Sequence, residues 1–561
     1  MKTSASVVLL VAGVFLSSIS AHPQPPDFLW VTQAGGTDLD EGLGIATDGS
    51  NNVVATGALR GTATFGDSIF FSNGGEDVFI AKYDGDGQFL WATQAGGPNS
   101  EEGLGIAADD AGNSVVTGRF SSTAYFGDST LESSGWYDIF IAKYDADGEF
   151  CWAAQAGGTE QDKANGIATD GSGNSIVTGF FFGTAVFGDS TLASGEYDDI
   201  FLAKYDADGG FLWAAQAGGA YYDGAYAIAT DGEDNSIVTG FFNGPATFGD
   251  TTLSGAGSED IFIAKYDDEG HCLWAAQAGG VDDEWGYGIA TDGSGNSVVT
   301  GQFTGPATFG DTTLTSVGSY DVFVAKYDAD GDFLWAAQAG GVDDDGGYGI
   351  ATDGLGNSLV IGFFSGTATF GDTTLTCEGW FDTFIAAYDA DGEFLWVVQV
   401  RGTDVDTETD IATDSAGNGL VTGSFYDTTH FGATSLVSTG SSDIFIAKLC
   451  LGGTGITGIE EEVVLPRSFH LAQNYPNPFS PATTIAFRIA PASGGESVDL
   501  KIYDICGREV RTLMNERKTP GSYAVVWDGR DGAGLEVSSG VYFCRLEAGG
   551  SVETRKMLLI R

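Results

Sequence analysis

The sequence predicts an all-β chain: a closed ring of seven four-stranded sheets followed by a small β-sandwich. Three observations predict it. A stretch close to FLWAAQAGG, as it stands at 211–219, occurs seven times, with its tryptophan at Trp30, Trp91, Trp152, Trp213, Trp274, Trp335 and Trp396, always 61 residues apart. That spacing never slips, so one structural unit is copied head to tail. No segment of the copies has the length or period of an amphipathic helix, whereas short runs rich in Ile, Val, Phe, Tyr and Trp, bounded by Asp, Gly and Asn, read as strands. The copies are also out of frame with the chain. FLWVTQ at 28–33 is a fourth-type strand with nothing before it, and the last copy stops at DIFIAKL, 443–449, short of its own FLW. An open solenoid has no reason for that offset. A ring does: the N-terminal strand completes the blade begun by the last copy, and closure buries the faces that end units would expose. The expectation is a seven-bladed β-propeller over 28–450, its seventh blade assembled from 28–33 and about 404–449.

The chain opens MKTSASVVLLVAGVFLSSISAHP, with one lysine, an apolar run and small residues ending at Ala21. That is the form of a secretory signal peptide, 1–21, too short for a membrane span. No later stretch has transmembrane length, so a soluble, exported chain is expected.

One repeat, 214–274, reads AAQAGGAYYDGAYAIATDGEDNSIVTGFFNGPATFGDTTLSGAGSEDIFIAKYDDEGHCLW, with strands AYAIAT, NSIVTGFF, DIFIAKYD and CLWAAQAG. The first two are joined by DGEDN and its equivalents. The Asp recurs as Asp48, Asp109, Asp170, Asp231, Asp292, Asp353 and Asp414, and an Asn follows four residues later in each copy, the composition of a tight hairpin. The longer segment that follows carries Phe65, Phe126, Phe187, Phe248, Phe309, Phe370 and Phe431. Burying such a Phe contributes roughly 1.5–3 kcal/mol, so it should pin the segment to the sheet, as a small extra hairpin. The third strand begins with another fixed acid: Asp77, Asp138, Asp199, Asp260, Asp321, Asp382 and Asp443.

Strands three and four are linked by DxDG turns: Asp84 with Asp86, Asp145 with Asp147, Asp206 with Asp208, Asp328 with Asp330, and Asp389 with Asp391. Alternating oxygens of this kind hold Ca2+ in calcium loops, but the further spaced ligands and closing Glu are absent. Two readings stay open: a tight acidic turn, or calcium held with help from neighbouring loops.

In the ring the fourth strand should lie outermost and the AIATD-like strand should line a central channel. Loops from each fourth strand to the next first strand then reach one face near that channel. They carry the most variable and acidic text: TDLDEG, PNSEEG, TEQDKA, AYYDGA, VDDEWG, VDDDGG and TDVDTE. Constant strands with variable loops suit a scaffold whose face diversifies, although soluble turns would read the same way. The candidate binding residues are Tyr221, Tyr222, Asp282, Asp283, Trp285, Asp343 and Asp344, whose rings could stack on a sugar or peptide or merely cover neighbouring strands.

The net charge of −55 resides almost wholly in the repeats: residues 22–450 hold 65 acidic and 10 basic residues, and residues from 466 onward 10 acidic and 12 basic. Such a surface repels nucleic acid and anionic lipid and attracts cations or basic partners. Six cysteines form no CxxC pair and no disulfide framework; Cys506 and Cys544 of the last domain read equally as a pair or as two separately buried thiols. Four scattered histidines offer no zinc site.

The text IATDGSGNSVVTG…ATFGDTTL…FVAKYDADG…FLWAAQAGG resembles the bacterial β-propeller repeats called SBBP repeats, over 28–449. The resemblance implies a propeller in an extracellular setting and no settled activity. The seventh copy departs from the pattern with Ala433 for Asp and Leu449-Cys450 for Tyr-Asp, and the sixth has Ala387 for Lys. After a linker, 451–469, the text NYPNPFSPATTIAF, KIYDICGREVRTL, PGSYAVVWDGRDGAG and SSGVYFCRLEAGG, over 470–561, resembles the type A sorting domain of the type IX secretion system, which overlaps the FlgD Ig-like group. Short strands between Gly, Pro and Asp suggest a β-sandwich by themselves. The resemblance implies an Ig-like sandwich, the type IX machinery as partner, and export to the surface of a Gram-negative-type bacterium.

No nucleophile elbow, metal-binding histidine motif or phosphate loop is present. Repeated acids are weak evidence for catalysis, which needs one asymmetric pair in distinct environments. The sequence therefore favours a non-catalytic binding or adhesion module, for a glycan, protein or cationic ligand. An extracellular glycan-active hydrolase or lyase and a divalent-cation-stabilised envelope protein are the alternatives.

Overall fold

In the computed structural model the described residues are 26–405 and 410–450 and, in a C-terminal unit, 470–471, 479, 483–489, 496–504, 508–518, 521–532, 534–535, 537–548 and 551–560. The segments expected to be a leader, 1–21, and a linker, 451–469, and Cys506 lie outside the described residues. Every described element is a strand or a turn, and the chain divides into two compact units after Thr454. No helix is long and apolar enough to cross a membrane.

Each blade is an antiparallel sheet whose strands follow one another in sequence. In the second blade they are Glu101–Ala108, Ser114–Phe120, Asp138–Tyr144 and Phe150–Gly158. The second and third strands carry β-branched and aromatic residues on both faces, and both faces are buried. They are sandwiched between adjacent blades, which is why the text shows apolar runs rather than alternation. The fixed phenylalanines are all buried, and they do sit in a small hairpin. That hairpin extends the preceding blade: Thr184–Phe187 pairs with the end of Phe150–Gly158. The fourth strand is therefore the outermost of its own four but not the last in the sheet, a correction to the four-stranded reading.

The N-terminal strand Phe28–Gly36 pairs antiparallel with Thr434–Leu449, from Phe28 opposite Leu449 to Ala34 opposite Ile444. Three sets of repeated side-chain bonds carry the ring around. At the end of six of the seven inner strands, all but the one ending in Ala108, a threonine hydroxyl donates to the equivalent carbonyl of the preceding blade. Thr169 donates to Ala108, and Thr230, Thr291, Thr352, Thr413 and Thr47 each donate to the one before, at 2.6–3.2 Å. The indole N–H of six of the seven repeated tryptophans donates to a carbonyl in a DxDG-type turn of the next copy, Trp30 to Gly85, Trp91 to Ala146, and likewise for Trp152, Trp213, Trp274 and Trp335. The turn's glycine has φ 81–87°, and a Cβ there would lie 2.6–2.8 Å from that tryptophan ring. Glycine is thus required twice over, by conformation and by contact. This packing is why the tryptophan recurs every 61 residues.

The third set is buried ion pairs. The hairpin Asp48 accepts the backbone N–H of Ser50 and Asn52 and the Asn52 amide, and Lys82 of the third strand reaches it at 2.9 Å. Lys143, Lys204, Lys265, Lys326 and Lys448 repeat the pair at 2.7–3.3 Å. Lys82 also donates to the Gly112 carbonyl of the next blade, and Lys448 to Gly85. These hairpin acids are structural, as the turn reading has it.

The C-terminal unit packs a three-stranded sheet (His470–Leu471, Thr483–Ile489, Gly521–Trp527) on a four-stranded one (Glu509–Lys518, Glu496–Asp504, Gly540–Ala548, Ser551–Leu559). Phe479, Ile485, Trp527, Leu500, Leu546 and Met557 fill the space between them.

Candidate functional site

Inner strands from all seven blades line one cavity of about 380 Å3 on the propeller axis. Its wall comes from the xGIAT text. The isoleucines Ile45, Ile106, Ile167, Ile228, Ile289, Ile350 and Ile411 form a belt, and two residues earlier the position varies: Leu43, Leu104, Asn165, Tyr226, Tyr287 and Tyr348. The varying residue is the extra one at a register shift, as between Gly42 and Gly44 and between Gly286 and Gly288, and this break in the alternation lets both rows line the channel. The row between them is Gly or Ala except at Asp410, and Lys163 joins the wall near Asn165. Half of the channel is thus aromatic, and the other half is aliphatic and polar.

The aromatic half continues outward. Tyr226, Tyr287 and Tyr348 stand in series with ring centres 5.0 Å apart. Phe241 extends the row at one end, 5.7 Å from Tyr226, and Phe363 and Phe381 at the other, at steps of 5.4 and 5.2 Å. Trp285 stacks near Tyr287 at 6.4 Å, contacts Tyr320 at 5.3 Å, and donates its indole N–H to Glu259 at 2.5 Å. Burial raises the Tyr226 hydroxyl to about 12 and pushes Tyr287 upward too, so both are neutral donors. Desolvation lifts the Asp410 carboxyl to about 6, against the N–H groups of Ile45 and Ile411 that hold it. Asp410 is the one carboxylate among the described residues lining the cavity.

The residues expected from the sequence are placed as follows. Tyr221 and Tyr222 are exposed and cluster with Tyr197, at 6.3 and 4.6 Å. Asp282, Asp343 and Asp344 lie in the interblade loops, and Asp283 makes a bridge to Glu259. Trp285 belongs to the inner strand Glu284–Thr291, not to a loop, and it packs near the cavity-lining Tyr287 without itself lining the cavity. The variable segments also contain a fixed residue. Asp40, Glu101, Asp162, Asp223, Glu284 and Asp345 open or immediately precede the inner strands and are fully buried. Sequence reasoning missed these acids because their surroundings vary and Asp alternates with Glu. It also missed Trp136 and Trp380, 75% and 76% exposed in the loops before the third strand, and the channel tyrosines. The available signal was variation inside a constant strand: LGIAT, NGIAT and YGIAT differ only where the side chain faces the channel.

In the DxDG turns the first aspartate is committed to the turn: Asp84 accepts Asp86 and Gln88 N–H, and Asp145, Asp206, Asp328 and Asp389 repeat this. The second aspartate, Asp86, Asp147, Asp208, Asp330 or Asp391, is exposed. Among the described residues no three His, Cys, Asp or Glu side chains gather as a metal would require.

Comparison with known proteins adds the following. A family model described as the FlgD Ig-like domain matches residues 474–551. The chain is 24% identical over 528 residues to an uncharacterized WD repeat-containing protein, L264, of Acanthamoeba polyphaga mimivirus, covering 75% of this chain and 38% of that protein. It is 27% identical over 214 residues to the regulatory protein FlaEY of Caulobacter vibrioides, covering 35% of this chain and 22% of the relative. The chain therefore spans well under half the length of these relatives. Among solved structures it is similar to PorZ, a bacterial surface component of the type IX secretion system of Porphyromonas gingivalis, at 12% identity and a TM-score of 0.28, covering 92% of this chain and 70% of that one. The C-terminal unit is thus an FlgD-type Ig-like domain by its match, attached to a propeller.

Proposed function

We propose that this chain is a secreted, cell-surface binding module, exported through the type IX system by its C-terminal domain, that takes a glycan at the mouth of the propeller channel. The observation that carries the reading is the asymmetric channel mouth. Trp285 and the Tyr226, Tyr287 and Tyr348 row supply ring faces and edges for a sugar, while Asn165, Lys163 and Asp410 face them with polar groups for its hydroxyls. A concave, largely apolar site with few polar groups is the usual form of a small-ligand pocket. Glycosidases need two carboxyl groups flanking the bond, and Asp410 stands without a second described carboxylate in the cavity. Binding without turnover is therefore the better fit. Export by the tail is supported by the FlgD Ig-like match and by the sorting-domain resemblance of 470–561. The propeller text supports an SBBP-type scaffold.

The test is titration of the full-length protein with a panel of soluble oligosaccharides, read by tryptophan fluorescence and calorimetry, against a Trp285→Ala variant. A saccharide that binds the wild type and loses at least tenfold in affinity for the variant supports the reading. No binding by any saccharide, or binding indifferent to Trp285, Tyr287 and Lys163 substitutions, sinks it. Saturable binding of a basic peptide instead would replace the glycan with a cationic ligand.

A further inference from the structure

The buried acids that open the inner strands meet the fixed acids of the third strands, one pair at each junction between blades. At the Asp321–Asp345 junction, Asp345 accepts N–H bonds from Gly341 and Ser365, one on each oxygen. Asp321 accepts from Val317 on Oδ2, while its Oδ1 is buried with no partner. Asp321 Oδ1 and Asp345 Oδ2 approach the same point, 2.7 and 2.9 Å from where a Gly340 Cβ would stand. Asp199 with Asp223 at Gly218 repeats the arrangement, at 2.7 and 3.0 Å. Asp138 with Asp162, Asp260 with Glu284, Asp77 with Glu101, and Asp443 with Asp40 occupy the other described junctions. Oδ1 of Asp138, Asp199 and Asp260 is likewise buried without a partner.

We propose that these junctions are proton-binding sites: in each, the two carboxyl groups share one proton at neutral pH, carried at the Asp138, Asp199, Asp260 and Asp321 junctions on the orphan oxygen of the third-strand aspartate and donated to the acid of the next blade. Two carboxylates buried side by side with only like charges around them resist ionising together, and one shared proton satisfies an orphan oxygen while removing a charge. No cation competes for the role. The charged groups that bear on the inner-strand acids are all carboxylates: Asp321 and Asp343 on Asp345, Asp138 and Asp198 on Asp162, Asp199 on Asp223, Asp77 and Glu76 on Glu101, Asp260, Asp282 and Asp283 on Glu284, and Asp443 and Asp38 on Asp40. Burial, reinforced by these neighbours, raises the acids to about 7 or 8. A calcium ion needs six to eight oxygens, more than the two carboxyl groups of a pair can offer.

The sign follows from the folded state holding protons that the unfolded chain has lost. The junctions are fully stable below the ordinary carboxyl range near 4, and that stability declines as pH climbs through about 8. The site is thus a device that tightens the propeller in acid and loosens blade junctions in alkali.

The test uses the full-length protein. Unfolding by urea at pH 6.5 in weakly buffered solution should release about six protons, roughly one per described junction. In Asp321→Asn the new amide N–H2 mimics the shared proton, so the triple variant Asp138→Asn, Asp199→Asn, Asp321→Asn should fold, release about three fewer protons, and lose about half of the fall in thermal midpoint between pH 5 and 9. Asp321→Ala, which leaves Val317 N–H unanswered, should be less stable at every pH. Release of no more protons than the histidines supply overturns the proposal. So does a rise in midpoint with millimolar calcium, beyond matched ionic strength, that the triple variant abolishes, because a cation would then occupy the junctions.

Discussion

The buried lysine–aspartate pairs give the sharpest energetic prediction. Replacing Lys326 by Ala removes a side chain that is 3% exposed and lies 2.9 Å from Asp292, itself 7% exposed, and that also donates to the Ala390 carbonyl of the next blade. Breaking a buried pair by deleting one partner costs about 3–5 kcal/mol, most of it for the charge left behind. Here the stranded Asp292 keeps Ser294 N–H, Asn296 N–H and the Asn296 amide, so the loss belongs at the low end, about 3 kcal/mol. Repeat six runs the control by nature: position 387 is Ala, and Asp353 still forms its turn with Leu355 and Asn357. The fold should therefore survive and only its stability fall. The assay is urea unfolding of the full chain, following the propeller transition at fixed slope. The contribution also has a pH signature. Lys326 and the turn amides hold Asp292 below the ordinary 3.8, so the pair's stabilisation is present above that pH and is lost as pH falls through the folded value. The difference between wild type and variant should shrink at pH 3. A loss under about 1 kcal/mol at pH 7, or one unchanged at pH 3, would show that the pair behaves as an exposed ion pair and that the reasoning is wrong.

Three further outcomes are expected. Ala108→Thr supplies the hydroxyl that the inner-strand circle lacks opposite Thr47 and should stabilise by about 0.5–1.5 kcal/mol in the same unfolding assay. Gly331→Ala places a Cβ 2.7 Å from the Trp274 ring at φ 87° and should cost at least about 1–3 kcal/mol, with a change in Trp274 fluorescence. If the DxDG aspartates are turn residues and not calcium ligands, millimolar calcium and chelator should give the same thermal midpoint at matched ionic strength, and Asp330→Asn should leave it unchanged.

Much of the fold was legible because its signals are local and repeated. The 61-residue period, the unpaired FLWVTQ at the start and the missing FLW at the end specified seven blades and the strand that joins them, and the register of Phe28 opposite Leu449 carries that out. What was not legible depends on contacts between blades. The hairpin around Phe187 looked like an appendage of its own repeat, yet it pairs with Phe150–Gly158 of the preceding blade, a choice of partner that no residue in the hairpin encodes. Asp345 and Asp321 are 24 residues apart in sequence and belong to different blades, so their meeting at Gly340 could not be read from either strand alone.

The candidate site was half legible for a related reason. In a ring of copies, a residue repeated from blade to blade does the same work in each, and that work is holding the blade: the Trp to the DxDG turn and the Lys to the hairpin Asp, six times each, and the Phe beneath its hairpin in all seven. A small ligand on the axis meets all seven inner strands at once and can distinguish them only where they differ. The departures are few and concentrated. Tyrosine occupies three adjacent copies of a position that is Leu or Asn in three others, Asp410 stands where its counterparts are Gly or Ala, and Lys163 and Trp285 stand at one shared position that is Glu, Gly or Thr in the other copies. Variable loops drew attention to Trp285, Tyr221 and Tyr222, none of which lines the cavity, although Trp285 packs near the lining Tyr287. The better rule for such a chain is to subtract the repeat from itself. Whatever remains on a channel-facing position has escaped the packing constraint that made the copies alike, and it is there that binding specificity can be written without disturbing the ring.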